Sequence, residues 1–206
     1  MLVVVLTGGI GAGKSAAAAY FERRGALVVD ADEVARGLMA PGSSLLSRVA
    51  SEFGPQVVDH DGALNRAELA RTCFGDPQSA RRLDAIVHPA VVAEVLALLG
   101  RLDASPERPA VVAIEVPLLV EAPSLAEKAD IVIAFEAAES VRADRAVARG
   151  MESDDVLRRI AVQSTDSDRA KLADVVISND GTEAELYEEL DRLWSETALR
   201  DCGPRG

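Results

Sequence analysis

The chain is short of aromatic residues, cysteines and positive charge, and each shortage argues against a class of protein. Aromatic side chains make up 3% of its 206 residues, so Val, Leu, Ile and Ala must build the core. Its 2 cysteines, Cys73 and Cys202, are too far apart to suggest a disulfide scaffold or a metal site. The formal net charge of -12 argues against nucleic acid as a partner, because such binding needs a basic patch.

Long apolar runs are also missing from the N-terminal region. Residues 2–6 are too few to span a bilayer and carry no basic leader, so we expect no signal peptide and no membrane partner. Buried or idle thiols fit a reducing compartment, and we therefore expect the protein in the cytoplasm. The hydrophobic fraction of 49% is still high enough for a folded core.

The most informative segment is a phosphate-binding loop. An apolar run at residues 2–6 leads into the spacing Gly-x-x-x-x-Gly-Lys-Ser, and helix-forming alanines follow, as this motif requires. Glycines let backbone N–H groups approach phosphate oxygens, and the helix N-terminus adds partial positive charge. We expect Lys14 to reach the β- and γ-phosphates and the Ser15 hydroxyl to ligate Mg²⁺. The predicted nucleotide-binding residues here are Gly8, Gly9, Ile10, Gly11, Ala12, Gly13, Lys14, Ser15 and Ala16.

Apolar runs alternate with helical patterns along most of the chain, which is typical of a parallel sheet with helices on both faces. We predict an α/β fold with a doubly wound, five-stranded parallel sheet, and strands at residues 2–6, 27–30, 110–115, 130–135 and 175–178. The stretch between the second and third strands predicts an inserted helical lobe, with helices at residues 31–39, 45–53, 66–74, 79–87 and 90–102. A capping box at residues 182–185 predicts a last helix with Leu186, Leu190 and Trp194 on one face.

Carboxylates follow two of the predicted strands, at the edge where ligands of parallel sheets bind. Asp32 comes just after the second strand, where a carboxylate can take the proton of an acceptor hydroxyl. Asp30 and Asp32 also suit the start of the following helix, and we favour this capping role for Asp30. Glu115 ends the third strand and either contacts Mg²⁺ through water or supports the site structurally.

Basic residues recur at helical spacing after the fourth strand. Arg142, Arg145 and Arg149 share one helix face. This face is either solvated, since Glu139 and Asp144 are interspersed, or part of a lid. A cationic lid would close over the transferring phosphate and exclude water.

Other polar groups favour structural roles. Residues 59–62 include an Asp-Gly pair and predict a turn. His60 and His88 are single histidines, so the residues predict no histidine metal site. The sequence contains no guanine-reading Asn-Lys-x-Asp motif, which argues against a GTPase.

These motifs together resemble the dephospho-CoA kinase family, in order, from residue 2 to about residue 190. Phosphate loops occur in many families, but this combination of motifs is specific. Beyond the loop, the resemblance is carried by VDAD at 29–32, FG at 53–54, DGALNR at 61–66, HP at 88–89, VPLLVE at 116–121, RIAVQ at 159–163 and ADVVISN at 173–179.

The resemblance implies an adenylate-kinase-like P-loop core that transfers the ATP γ-phosphate to the 3′-hydroxyl of dephospho-CoA, with Mg²⁺. It implies a core of residues 1–31, 106–139 and 173–206, an acceptor-binding helical lobe at about 32–105 and a lid at about 140–172. By position, Asp32 would bind and activate the acceptor, and Arg66 and His88 would bind it. Arg142 would be a catalytic lid cation and Arg145 a nucleotide-binding one. We expect ATP and dephospho-CoA as partners, and a monomer or weak homo-oligomer.

Two other functions fit the residues. Another P-loop kinase of small molecules or nucleoside monophosphates would share the loop and lid and would differ in the acceptor lobe. A nucleotide-dependent switch or binding module fits less well, because it would need neither the helical insert nor a basic lid.

Overall fold

The computed structural model describes residues 1–74 and 76–196, which form an α/β fold. Within this part of the chain, parallel strands form one 5-stranded sheet in the order β2-β3-β1-β4-β5. The strands are β1 (Leu2–Gly8), β2 (Leu27–Asp30), β3 (Val111–Glu115), β4 (Ile131–Glu136) and β5 (Val175–Ser178). The predicted strands are confirmed, with small shifts at their ends. Cys202 and the rest of the C-terminal tail lie outside the described residues.

Helices cover the sheet and form the stretch between β2 and β3. They are α1 (Lys14–Arg23), α2 (Ala31–Leu38), α3 (Ser44–Phe53), α4 (Arg66–Phe74), α5 (Pro77–Asp103), α6 (Pro123–Ala126), α7 (Glu139–Ala148), α8 (Ser153–Val162), α9 (Asp166–Ala170) and α10 (Glu183–Glu196). The predicted capping box precedes α10. The Thr182 hydroxyl accepts a hydrogen bond from the Glu185 amide (3.3 Å), and the Glu185 carboxylate accepts one from the Thr182 amide (2.6 Å).

The structure corrects one helix prediction. The separate helices predicted at 79–87 and 90–102 are a single helix, α5, with Pro89 in its interior. Pro89 has no N–H and removes one bond from the helical ladder, but the buried side chains of Val91, Val95 and Leu99 continue along one stripe beyond it. Packing of this stripe outweighs the lost bond. By length and composition alone, residues 78–103 of α5 are apolar enough to cross a membrane, and 11% of the apolar window is buried in the structure.

The chain packs as two compact units. Among the described residues, the first contains residues 1–30 and 101–196, and the second contains residues 31–100. In the first unit, one face of the sheet packs on α1 and α10 through residues that include Leu6, Phe21, Phe135 and Trp194. The second unit has its own core, with Val49, Phe53, Val57, Leu69 and Cys73. The Cys73 thiol is buried as expected, and burial raises its pKa.

A polar bridge joins α1 to α10 above their aromatic contact. The Tyr20 ring packs edge-on against Trp194 at a centroid distance of 6.3 Å. The Tyr20 hydroxyl donates a 2.6 Å hydrogen bond to the Asp191 carboxylate, which also pairs with Arg24. The Tyr20 hydrogen bond, with help from the Arg24 cation, holds the pKa of Asp191 below its usual range.

We expect Tyr20→Phe to lower the free energy of unfolding by about 1 kcal/mol, because it removes this hydrogen bond and keeps the ring. Since folding lowers the pKa of Asp191, the carboxylate stabilises the protein above its unfolded pKa of about 3.9, and this contribution is lost as the pH falls through the folded pKa. The difference between variant and parent should therefore shrink in acid. Urea unfolding at neutral pH and at about pH 3 measures the free energy of unfolding of both proteins. An equal difference between variant and parent at the two pH values would contradict the explanation.

Candidate active site

The phosphate loop connects β1 to α1 as a tight turn. Gly11 and Gly13 have φ angles of 74° and 114°, which glycine adopts at little cost. The Lys14 ammonium folds back over the loop and donates to the carbonyls of Gly8 (2.9 Å) and Gly9 (3.1 Å). Because α1 begins at Lys14, the amides of its first turn open at the loop. The loop therefore has the backbone of an anion-binding nest.

Neighbouring segments approach this loop too closely for side chains on its glycines. An ideal Cβ on Gly11 would lie 2.2 Å from the carbonyl oxygen of Arg142, in α7. A Cβ on Gly9 would lie 2.1 Å from Arg142 Nη1, and one on Gly13 would lie 2.2 Å from Asn179 Nδ2. The glycines thus allow close packing as well as phosphate approach.

Arg142 places a buried cation against the loop. The residue is 8% exposed, although arginine is rarely buried without partners. Its Nε has no hydrogen-bond partner within the described part of the chain. An unpaired polar group of this kind is costly, and a phosphate bound at the loop would offer the guanidinium an acceptor.

Two side-chain amides, which the sequence reasoning did not assign to the site, also contact the loop. The Gln163 oxygen accepts a hydrogen bond from the Ile10 amide at 3.0 Å. The buried Asn179 Nδ2 donates to the Ala12 carbonyl at 2.8 Å. Both belong to segments that carry the family resemblance. Asn179 directly follows β5 at the ligand-binding edge of the sheet, and this position was the available signal.

Oxygen ligands converge at the carboxyl ends of β2 and β3. The Ser15 hydroxyl donates a 3.1 Å hydrogen bond to Glu115 Oε1. Glu115 ends β3 and is in register with Asp30, the last residue of β2. A hydroxyl and carboxylates are the ligands that Mg²⁺ prefers, so the residues present fit this ion.

An open pocket of about 350 Å³ lies beside the start of α1. Its size suits a small ligand. The Arg145 guanidinium donates to the backbone carbonyls of Asn179 (2.6 Å) and Gly181 and so fixes the loop between β5 and α10. This bonding makes Arg145 a structural part of the pocket wall. The lining residues are Gly13, Ala16, Arg145, Ala148, Arg149, Asn179, Glu183 and Leu186.

The predicted acceptor residues all lie in the second unit. Asp32 is exposed in the first turn of α2, which begins directly after β2. Arg66 is exposed at the start of α4, where the Asn65 side chain accepts a hydrogen bond from the Glu68 amide at 3.0 Å. His88 lies in α5 with its Nε2 3.6 Å from an Asp84 carboxylate oxygen.

Residues 59–62 form the predicted turn. The Asp59 carboxylate accepts hydrogen bonds from the amides of Asp61 (3.0 Å) and Ala63 (2.9 Å). Asp59, His60 and Asp61 bring their ligand atoms within 4.8 Å of one another, but all are exposed. The backbone bonds account for Asp59 without a metal.

Comparison with known proteins identifies one family. The family model described as dephospho-CoA kinase matches residues 2–185. A dephospho-CoA kinase from Frankia casuarinae is 40% identical over 97% of this chain and 85% of its own length. A dephospho-CoA kinase from Thermobifida fusca is 40% identical over 97% of this chain and 98% of its own length.

Solved structures share the fold. A crystal structure from Thermus thermophilus has a TM-score of 0.74 at 30% identity and covers 96% of this chain and 98% of its own. The dephospho-CoA kinase from Campylobacter jejuni has a TM-score of 0.69 at 20% identity, with 97% and 98% of the chains covered. A shikimate kinase from Acinetobacter baumannii, at 14% identity over 97% of this chain and 96% of its own, reaches 0.53.

The Gly9 contact yields a prediction about Arg142. Gly9 has a backbone conformation open to other residues, so Gly9→Ala should fold, but its methyl group would displace the Arg142 guanidinium. We expect phosphoryl transfer to slow roughly tenfold or more, because a small displacement of a charged group weakens catalysis strongly. Steady-state kinetics measures the rate of phosphoryl transfer, and the circular dichroism melting curve shows whether the variant folds. Gly100→Ala is the control, since its Cβ meets nothing within 4 Å, and equal activity of both variants would contradict the prediction.

Proposed function

The chain belongs to the dephospho-CoA kinase family, and we propose that its phosphate loop, Arg142 and Asp32 perform the phosphate transfer. The activity is ATP-dependent: the γ-phosphate moves to the 3′-hydroxyl of dephospho-CoA and gives coenzyme A. One observation carries the assignment of residues. A buried arginine with an unpaired Nε lies against an anion nest, where a transferring phosphate needs positive charge.

The loop and Arg142 act on the donor. The loop amides and Lys14 bind the β- and γ-phosphates, which replace the Gly8 and Gly9 carbonyls as acceptors for the ammonium. Arg142 stabilises the charge on the γ-phosphate oxygens as the bond to the leaving oxygen lengthens. Because the transition state is loose, positioning and electrostatics supply most of the rate enhancement. The pocket beside Gly13 and Ala16 receives the nucleoside part of ATP.

Mg²⁺ would be held by the Ser15 hydroxyl, with Glu115 and Asp30 nearby in the same register. The ion would neutralise part of the triphosphate charge. Ser15 and Glu115 already share a hydrogen bond, so one carboxylate orients the hydroxyl that would ligate the ion.

The second unit supplies the acceptor residues. Asp32 takes the proton of the 3′-hydroxyl, and its place in the first turn of α2 leaves its side chain exposed for this role. Arg66 and His88 bind the acceptor, with the Arg66 cation suited to an acceptor phosphate. A cytoplasmic location and a monomeric or weakly associating state remain predictions from the sequence.

An acceptor assay with γ-labelled ATP tests the function. We expect label in coenzyme A with dephospho-CoA as acceptor, and little transfer to nucleoside monophosphates or shikimate. Lys14→Ala should reduce transfer by roughly 10²–10³-fold, because it removes a donor to the phosphates. Transfer to another acceptor would favour a different small-molecule kinase, and slow hydrolysis alone would favour a nucleotide switch.

Replacement of the proposed base separates chemistry from binding. We expect Asp32→Asn to lower kcat by roughly 10²–10⁴-fold, because the amide cannot take the proton. The Kd for ATP should stay within about threefold, since the donor contacts lie in the first unit. Asp61→Asn changes an exposed acid in the Asp59 turn and serves as the control. An unchanged kcat would remove Asp32 from the mechanism.

A further inference from the structure

The linker between α8 and α9, residues 163–165, is a built piece of structure. α8 ends at Val162 because Gln163 turns to an extended conformation, with φ −73° and ψ 150°. Thr165 then begins α9 as its N-cap, and its hydroxyl accepts a hydrogen bond from the Asp168 amide at 3.2 Å. Gln163 therefore occupies a defined place between two helix ends.

Buried and polar contacts fix this linker. Arg169 is 2% exposed, and its guanidinium donates to the Ser164 carbonyl and pairs with Asp166. The Ser164 hydroxyl donates a 2.7 Å hydrogen bond to the Glu121 carboxylate. The backbone next to Gln163 is thus held by groups outside the phosphate loop.

Gln163 extends from the fixed linker onto the loop. Its Oε1 accepts a hydrogen bond from the Ile10 amide at 3.0 Å. The same oxygen lies 3.3 Å from the point that a Gly9 Cβ would occupy. Arg142 Nη1 lies 2.1 Å from the same point. The amide oxygen and the guanidinium therefore approach one face of the loop together.

We propose that Gln163 is a positioning residue for phosphate transfer, which holds the linker on Ile10 and keeps the Arg142 guanidinium over Gly9. The inference rests on the proposed function, because Gln163 acts through Arg142. A neutral amide suits this role: its oxygen attracts a guanidinium but leaves the full positive charge for phosphate, whereas a carboxylate would neutralise that charge.

Gln163→Met tests the proposal, because it keeps the length of the side chain and removes the acceptor oxygen. We expect kcat to fall roughly tenfold while the KM for ATP changes less than about threefold. The fraction of ATP hydrolysed without transfer should rise, since a displaced Arg142 guanidinium admits water beside the loop. The neighbouring side chain of Val162 is 83% exposed, so Val162→Ala is the matched control and should retain parental kinetics.

A double-mutant cycle with Arg142→Lys tests whether Gln163 acts through Arg142. We expect Gln163→Met to have little further effect on kcat in the Arg142→Lys background. The proposal would be overturned if the two substitutions lowered kcat by independent factors that multiply in the double variant. It would also be overturned if Gln163→Met kept the parental kcat. Gln163→Asn, which draws the oxygen back from Ile10, replaces the Met variant if melting curves show that the latter does not fold.

Failure of this proposal is distinguishable from failure of the proposed function. If the parent protein transfers phosphate to dephospho-CoA and Lys14→Ala does not, the function stands whatever the Gln163 variants do. If the parent protein makes no coenzyme A, both fail together.

Discussion

Close packing around the glycines of the phosphate loop is the constraint on which the candidate site depends. The amides that bind phosphate must stay open, so the loop cannot be held through those amides before the nucleotide binds. Instead, the α7 backbone at Arg142 and the Asn179 amide hold it from other directions, and glycines make room for both. These contacts arrange the donors before the reaction, which is the condition for electrostatic catalysis without reorganisation. Residues far apart in sequence thus serve one short turn.

The charge of the whole protein and the charge of the site have opposite signs. The chain carries a net charge of -12, yet Lys14 and Arg142 are both buried against the phosphate loop. Exposed carboxylates beyond about 8 Å are screened at physiological salt, whereas buried cations and the helix N-terminus act at short range in a weakly polar environment. An acidic protein can therefore bind a polyphosphate, and net charge predicts solubility and nonspecific partners better than it predicts a ligand.

Local patterns predicted the strands, the turn at 59–62 and the capping box, because backbone chemistry and burial decide these elements. Pro89 misled the helix prediction, since the apolar stripe of α5 continues across it and outweighs one missing bond. The loop contacts of Gln163 and Asn179 could not be derived from spacing, because they join residues more than 150 positions apart. The bonds of the Arg145 guanidinium to the loop after β5 could not be derived from its spacing either, and its nucleotide-binding role stays a prediction. The roles of Asp32, Arg66 and His88 remain predictions.

The contacts of α7 and α8 with the loop differ in strength, and this difference suits a reaction that must admit and release nucleotide. α7 packs its backbone against Gly11, with no room for a side chain between them. The linker after α8 is joined to the loop through the side chain of Gln163. One such hydrogen bond is worth about 1 kcal/mol, which corresponds to a population ratio of about five. The Gln163 side chain can therefore leave Ile10 thermally and release the Arg142 guanidinium, while the α7 backbone at Arg142 stays beside Gly11.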